Sequence, residues 1–129
     1  VFRSFFRKRA RSFRFAFHGW WYVLRTQQNA WIHAVVSLTV LALAALLRLP
    51  PRDWAVLILT IAIVWAAEFL NTALEAVVDL ASPDLHPLAK IGKDVGAAAV
   101  LIAALASVLV GLLILGPPLF HAVRVLLNR

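Results

Sequence analysis

The chain of 129 residues is 63% hydrophobic and 15% charged, with 13 Lys and Arg against six Asp and Glu and no cysteine. Soluble domains carry roughly 45–50% apolar and about 25% charged residues, and small ones bury only around two-thirds of their unfolded surface. A water-soluble globule is therefore excluded in favour of one domain embedded in lipid, and disulfides, thiolate zinc sites and thiol nucleophiles are excluded with the cysteines.

Residues 1–28 open the chain with seven of its basic residues, Arg3, Arg7, Lys8, Arg9, Arg11, Arg14 and Arg25, and no acid. Phe2, Phe5, Phe6, Phe13, Phe15 and Phe17 are interleaved with them. A basic stretch invites a nucleic-acid reading, but alternating Arg and Phe beside a lipid-embedded body fits an amphipathic helix on anionic headgroups better. No nucleic-acid partner is expected. Trp20, Trp21 and Tyr22 are expected to anchor the interface.

A bilayer core of roughly 30 Å needs about 20 helical residues. The pattern predicts membrane helices over residues 30–48, 54–80 and 89–116, followed by a tail over 117–129. Leu49-Pro50-Pro51-Arg52-Asp53 reads as a short charged turn, and Gly116-Pro117-Pro118 as the end of the third span. The basic first segment places the N-terminus in the cytoplasm, and the loop bearing Lys90 and Lys93 with it. Gly96, Ala97, Ala98, Ala99, Ala103, Ala104 and Ala106 allow close helix packing. Three helices surround little interior, so an oligomer is expected.

Ionisable residues inside a span are costly and mark function by default. Glu68, Thr72, Glu75 and Asp79 share one face of the second helix, with Asn71 beside them. A stripe that holds helices together is the plainer reading; four polar side chains in register favour a site. A carboxylate near the water interface can hold Mg²⁺ shared with nucleotide phosphates, and a deeper one can take a proton from a lipid hydroxyl. Lys93 and Asp94 open the third helix at the same level, where Lys93 could stabilise a transferring phosphate. Phosphoryl transfer asks mostly for positioning and charge neutralisation, so a small set suffices. No P-loop and no protein-kinase signature occurs, and the stripe alone also fits a proton or cation pathway.

The run Glu68-Phe-Leu-Asn71-Thr-Ala-Leu-Glu75-Ala-Val-Val-Asp79, with His86-Pro-Leu-Ala-Lys90 and Lys93-Asp94-Val-Gly96, resembles the bacterial integral-membrane diacylglycerol kinase family. The His-Pro-Leu-Ala-Lys segment is more similar to the undecaprenol kinase branch. The resemblance implies an all-α homotrimer of three-span subunits, each with an N-terminal surface helix, in the bacterial inner (cytoplasmic) membrane with cytoplasmic active sites. It implies transfer of the γ-phosphate of MgATP to a lipid alcohol, most simply undecaprenol, with diacylglycerol as the alternative. By the same resemblance Glu68 is the general base, Asn71 belongs to the catalytic centre and Glu75 binds Mg²⁺ and ATP. Asp84, Leu85 and His86 correspond to a nucleotide-binding loop, and Lys93 and Asp94 to phosphate and nucleotide contacts.

One position departs from the family pattern. Asn29 and His33 match, but Gln27 stands where the family has an acid that shares Mg²⁺ with the position of Glu75. A Gln carbonyl can coordinate a hard cation but brings no charge. A working kinase with weakened Mg²⁺ affinity is expected; a non-catalytic membrane protein that binds lipid or a partner is the alternative of another class.

Overall fold

The computed structural model describes residues 2–84 and 86–128, with side chains described from residue 11 onward. Every element is helical, in the order α1 (Phe2–Thr26), α2 (Gln28–Leu46), α3 (Pro51–Ala81) and α4 (Pro87–Leu127). The last three are long and apolar enough to cross a membrane. Residues 1–32 and 33–129 form two compact units.

In the first unit, α1 stops at Thr26 and α2 starts at Gln28, so Gln27 sits at the junction. Gln27 N–H still donates to Val23 O at 2.9 Å, and Ala30 N–H donates to Gln27 O at 3.2 Å. The backbone is thus nearly continuous through the expected metal-ligand position. Arg25 lies over the Trp21 ring at 4.6 Å, a cation–π pairing of the kind that Arg and Trp make at exposed sites.

The second unit contains the remainder of α2 together with α3 and α4. The turn between α2 and α3 is shorter than the sequence predicts, and α3 begins at Pro51 rather than at residue 54. Pro50 is its extended N-cap and Pro51 occupies the first helical turn, where proline's missing N–H costs nothing and its fixed φ suits the helix. Asp53 in that turn complements the N-terminal dipole. Arg48 takes φ 52°, the one left-handed non-glycine residue among those described. Ala44, Leu57 and Leu115 are buried together at this end of the bundle, with Leu43, Leu49 and Trp54 against them.

Helix α4 is the larger surprise. It runs on through Pro117 and Pro118 to Leu127, where a break at residue 116 and a separate tail were expected. Each proline removes one backbone donor, but a span tolerates this where neighbouring groups or local adjustment satisfy the freed carbonyls. At the other end, His86 caps α4 with Nδ1, accepting from Leu88 N–H at 3.2 Å, and Pro87 takes the first helical position. The helix therefore starts two residues earlier than predicted.

Helix α3 holds half of the buried residues described, namely Leu57, Val64, Trp65, Glu68, Asn71 and Thr72. Large apolar side chains such as Leu38, Leu70, Leu80, Ile102 and Leu113 remain exposed. In water such a surface would aggregate; in hydrocarbon it is the solvated face.

Candidate active site

Glu68 is the most deeply buried large side chain described, with 1% of its surface exposed. It lies on the face of α3 that turns inward, which helical spacing dictates for Val64, Trp65, Glu68, Asn71 and Thr72 together. Thr72 Oγ1 donates back to Glu68 O at 2.9 Å, so the hydroxyl is satisfied within the helix and imposes no demand on the site. Glu68 Oε2 faces His33 Nε2 of α2 at 3.7 Å, an ion-pair distance too long for a hydrogen bond.

Three buried polar atoms have no hydrogen-bond partner among the described residues: His33 Nε2, Glu68 Oε2 and Asn71 Oδ1. Native interiors leave few such groups, because each left unsatisfied costs about 1–3 kcal/mol, so the three single out this stretch of α2 and α3 as a candidate site. His33 is itself held in place by its neighbours. Its ring meets Trp65 edge-on at 6.2 Å, and Trp65 Nε1 donates to Ser37 Oγ at 3.3 Å.

Further along α3, Asn71 Nδ2 donates to Glu75 Oε1 at 3.1 Å. The opposite side of Asn71 meets Gly96 of α4, where a Cβ would overlap Asn71 Oδ1 and come within 3.1 Å of Leu74 Cδ2. Glycine at 96 is thus a condition for the two helices to approach with Asn71 between them. Glu75 is half-buried, between the enclosed Glu68 and the exposed Asp79.

Beyond it, Lys93 Nζ donates to Asp79 Oδ1 at 2.7 Å and ties α4 to α3. Lys90 pairs with Asp94 one turn on along α4. Both pairs are exposed, with side-chain exposures of 39% and 65% for Lys93 and Asp79. Lys93 is thereby brought to the stripe as the sequence predicts, but against Asp79. Asp94 faces Lys90 on the outside of the helix. Asp84 and His86 are exposed in the α3–α4 connection, where Asp84 O accepts from Ser82 Oγ at 3.0 Å. Leu85, expected in the nucleotide loop, lies outside the described residues.

Two residues matter more than their sequence signal implied. His33 enters the sequence analysis as a match to the family pattern with no role assigned, and Gly96 as a small packing residue within the Lys93-Asp94-Val-Gly96 run. The signal for His33 was its ionisable ring within a hydrophobic run. For Gly96 nothing local distinguished it from the alanines that follow.

Among the described residues no three or more His, Asp or Glu side chains cluster as a cage for a metal. Mg²⁺ does not require one, since it keeps several waters and is held by one or two carboxylates plus substrate phosphates. Glu75, a hard oxygen donor oriented by Asn71, meets that requirement.

A half-buried carboxylate, Glu75, and an enclosed one, Glu68, lie about two turns apart on one helix long and apolar enough to cross a membrane. Residues 14–115 match the family described as prokaryotic diacylglycerol kinase, and the chain belongs to that family. It is 50% identical over 109 residues to a diacylglycerol kinase of Synechocystis, covering 84% of this chain and 62% of that relative. Over the same length it is 40% identical to an undecaprenol kinase of Bacillus subtilis, covering 84% of this chain and 89% of the relative. A diacylglycerol kinase of Escherichia coli is 36% identical over 87 residues, 62% of this chain and 71% of its own. The chain thus spans less than two-thirds of the Synechocystis relative, and most of the Bacillus one.

Proposed function

We propose that this chain is a lipid kinase that transfers the γ-phosphate of MgATP to undecaprenol. The observation that carries the reading is the enclosed carboxylate of Glu68, unpartnered at Oε2 and one turn from the Asn71–Glu75 pair. A base for a greasy alcohol must sit within hydrocarbon, and a nucleotide ligand must sit where water reaches. Seven residues separate Glu68 from Glu75, about 10 Å along the helix axis. That spacing leaves room for both substrates on one helix face.

In this reading Glu68 Oε2 accepts the proton of the lipid hydroxyl. The freed oxygen forms its bond to the γ-phosphorus, and the bond from that phosphorus to the bridging oxygen of the leaving ADP breaks. Glu75 would hold Mg²⁺, Asn71 orients the carboxylate of Glu75 through its amide, and Gln27 would offer a neutral oxygen in place of an acid. Bound Mg²⁺ would neutralise charge on the phosphates. Lys93, Asp94, Asp84 and His86 contact the nucleotide. The unit works as a homotrimer in the inner membrane, with α1 on the cytoplasmic surface.

Undecaprenol as acceptor is supported by the His86-Pro87-Leu88-Ala89-Lys90 segment and by the match to the Bacillus undecaprenol kinase, which covers 89% of that relative. Diacylglycerol is the second reading, favoured by the 50% identity to the Synechocystis protein. Purified protein incubated with γ-labelled ATP, Mg²⁺ and either lipid in mixed micelles separates them. Label in the undecaprenol fraction is expected; label in phosphatidic acid alone selects the second reading, and label in neither overturns the kinase assignment.

A further inference from the structure

Helix α4 outlasts the helices it packs on. Leu115 is buried with Ala44 of α2 and Leu57 of α3, and Leu49 and Trp54 beside the charged α2–α3 turn pack against that layer. Lys93, tied to Asp79, marks the polar level at the other end of α4. From Lys93 to Leu115 the helix rises about 33 Å, which matches a hydrocarbon core of roughly 30 Å. It then continues from Leu115 to Leu127, about 18 Å more at the same rise. The headgroup layer on each side is only about 5–8 Å deep, so a straight continuation carries this end out into water.

That end is not built for water. At about 100° per residue, Leu119, Phe120, Val123, Leu126 and Leu127 fall within about 120° of one another. His121, Arg124 and Asn128 fall within about 60° on another side, and Val125 is the apolar exception among them. All of these residues are exposed, Phe120 at 71% and Leu127 at 80%. No acid follows Asp94 in the sequence, so Arg124 and Arg129 leave the segment cationic. Pro117 and Pro118 stand where it begins. They remove the helical donors for the carbonyls of Leu113 and Ile114, and prolines are where long helices bend.

We propose that residues 119–127 are an amphipathic anchor on the phospholipid headgroups of the leaflet opposite the candidate site. The apolar face enters the acyl boundary and Arg124 pairs with lipid phosphate. A bend at the proline pair lays the segment along the surface without breaking the span. A second copy of the chain suits this face less well. The face is broader than the narrow seam of a coiled coil, and no neighbouring tail offers an acid to its arginines. Lipid phosphates supply that charge on any phospholipid surface. The anchor is independent of the lipid-kinase reading.

Because the chain has no cysteine, single-cysteine variants carry one nitroxide each. The label is placed in turn at Leu119, Phe120, Val123, Leu126, His121 and Arg124 of the full chain, in nanodiscs of phosphatidylcholine with and without phosphatidylglycerol. Relaxation by oxygen and by a water-soluble nickel chelate reads depth. The four apolar positions should sit about 5–10 Å below the phosphates and the two polar ones at or above them, alternating with the helical period. Nickel access at all six positions means that the tail stands in water, and overturns the proposal. Exclusion of both relaxants at Leu119 and Val123, with spin–spin broadening between copies, gives the face to a second copy and overturns it equally. With the label at Phe120, Arg124→Glu should shift it several ångströms toward water in the anionic nanodiscs, and Arg124→Lys should keep most of the depth. A label unmoved by Arg124→Glu removes the phosphate contact and the proposal with it.

Discussion

Gly96 of α4 packs directly against the carboxamide of Asn71 of α3, leaving no room for a Cβ. The contact fixes Asn71 from one side while Glu75 accepts its amide from the other. A backbone contact between two membrane helices is thereby transmitted to the carboxylate proposed to hold the nucleotide's metal.

Gly96→Ala should force Asn71 aside. Overpacking of this kind costs about 1–3 kcal/mol, and a displacement near 1 Å at a reacting centre costs about 100-fold in rate. Turnover should fall by at least tenfold with a lowered unfolding temperature in detergent. Gly111→Ala, with open space at its Cβ, should leave both nearly unchanged. Parallel kcat and thermal-unfolding measurements on the two variants check the contrast.

Glu75→Gln keeps the shape of the side chain and removes its charge. MgATP affinity should weaken several-fold, read by nucleotide binding in the absence of lipid, while binding of the lipid acceptor is retained. An unaltered nucleotide affinity contradicts the role given to Glu75.

Lys93 and Asp79 form an exposed pair, which contributes about 0–1 kcal/mol to stability. Lys93→Ala should therefore leave the unfolding temperature within experimental scatter. If Lys93 contacts the nucleotide, KM for ATP rises at least fivefold in the same variant, whereas Asp79→Asn raises it less. Equal kinetic effects of both substitutions would make the pair merely structural.

Much of this arrangement was legible in the residues, and the reasons for the remainder are physical. Apolar run lengths located three spans because the bilayer sets a fixed length for a helix. The helical period put Glu68, Thr72, Glu75 and Asp79 on one face, and Lys93 does meet that face. It meets Asp79, because which partner lies nearest depends on how α4 slides along α3. The Pro117–Pro118 pair reads as a stop by local rules, yet α4 continues through it to Leu127, because a proline removes a donor without forcing the chain out of helical φ. His33 and Glu68 stand 35 positions apart in the chain, and only packing of α2 on α3 brings them together. Size alone does not separate Gly96 from its alanine neighbours; its contact with Asn71, which depends on how α4 packs on α3, does.

Gln27 sits at the α1–α2 junction, where the family pattern has an acid. Gln27→Glu adds one negative oxygen ligand for a hard cation. The Mg²⁺ concentration for half-maximal rate should fall by severalfold, with little change in turnover at saturating metal. A Mg²⁺ titration of the two proteins measures it, and superimposable curves would remove Gln27 from the metal site.

The most direct test is phosphate transfer by Glu68→Gln. Removing a positioned general base costs about 10²–10⁴-fold. With labelled ATP and saturating lipid, turnover should fall at least 100-fold while ATP affinity holds within twofold of the parent protein. Turnover within a few-fold of the parent would contradict the account, because the buried carboxylate would then not be the group that takes the lipid's proton.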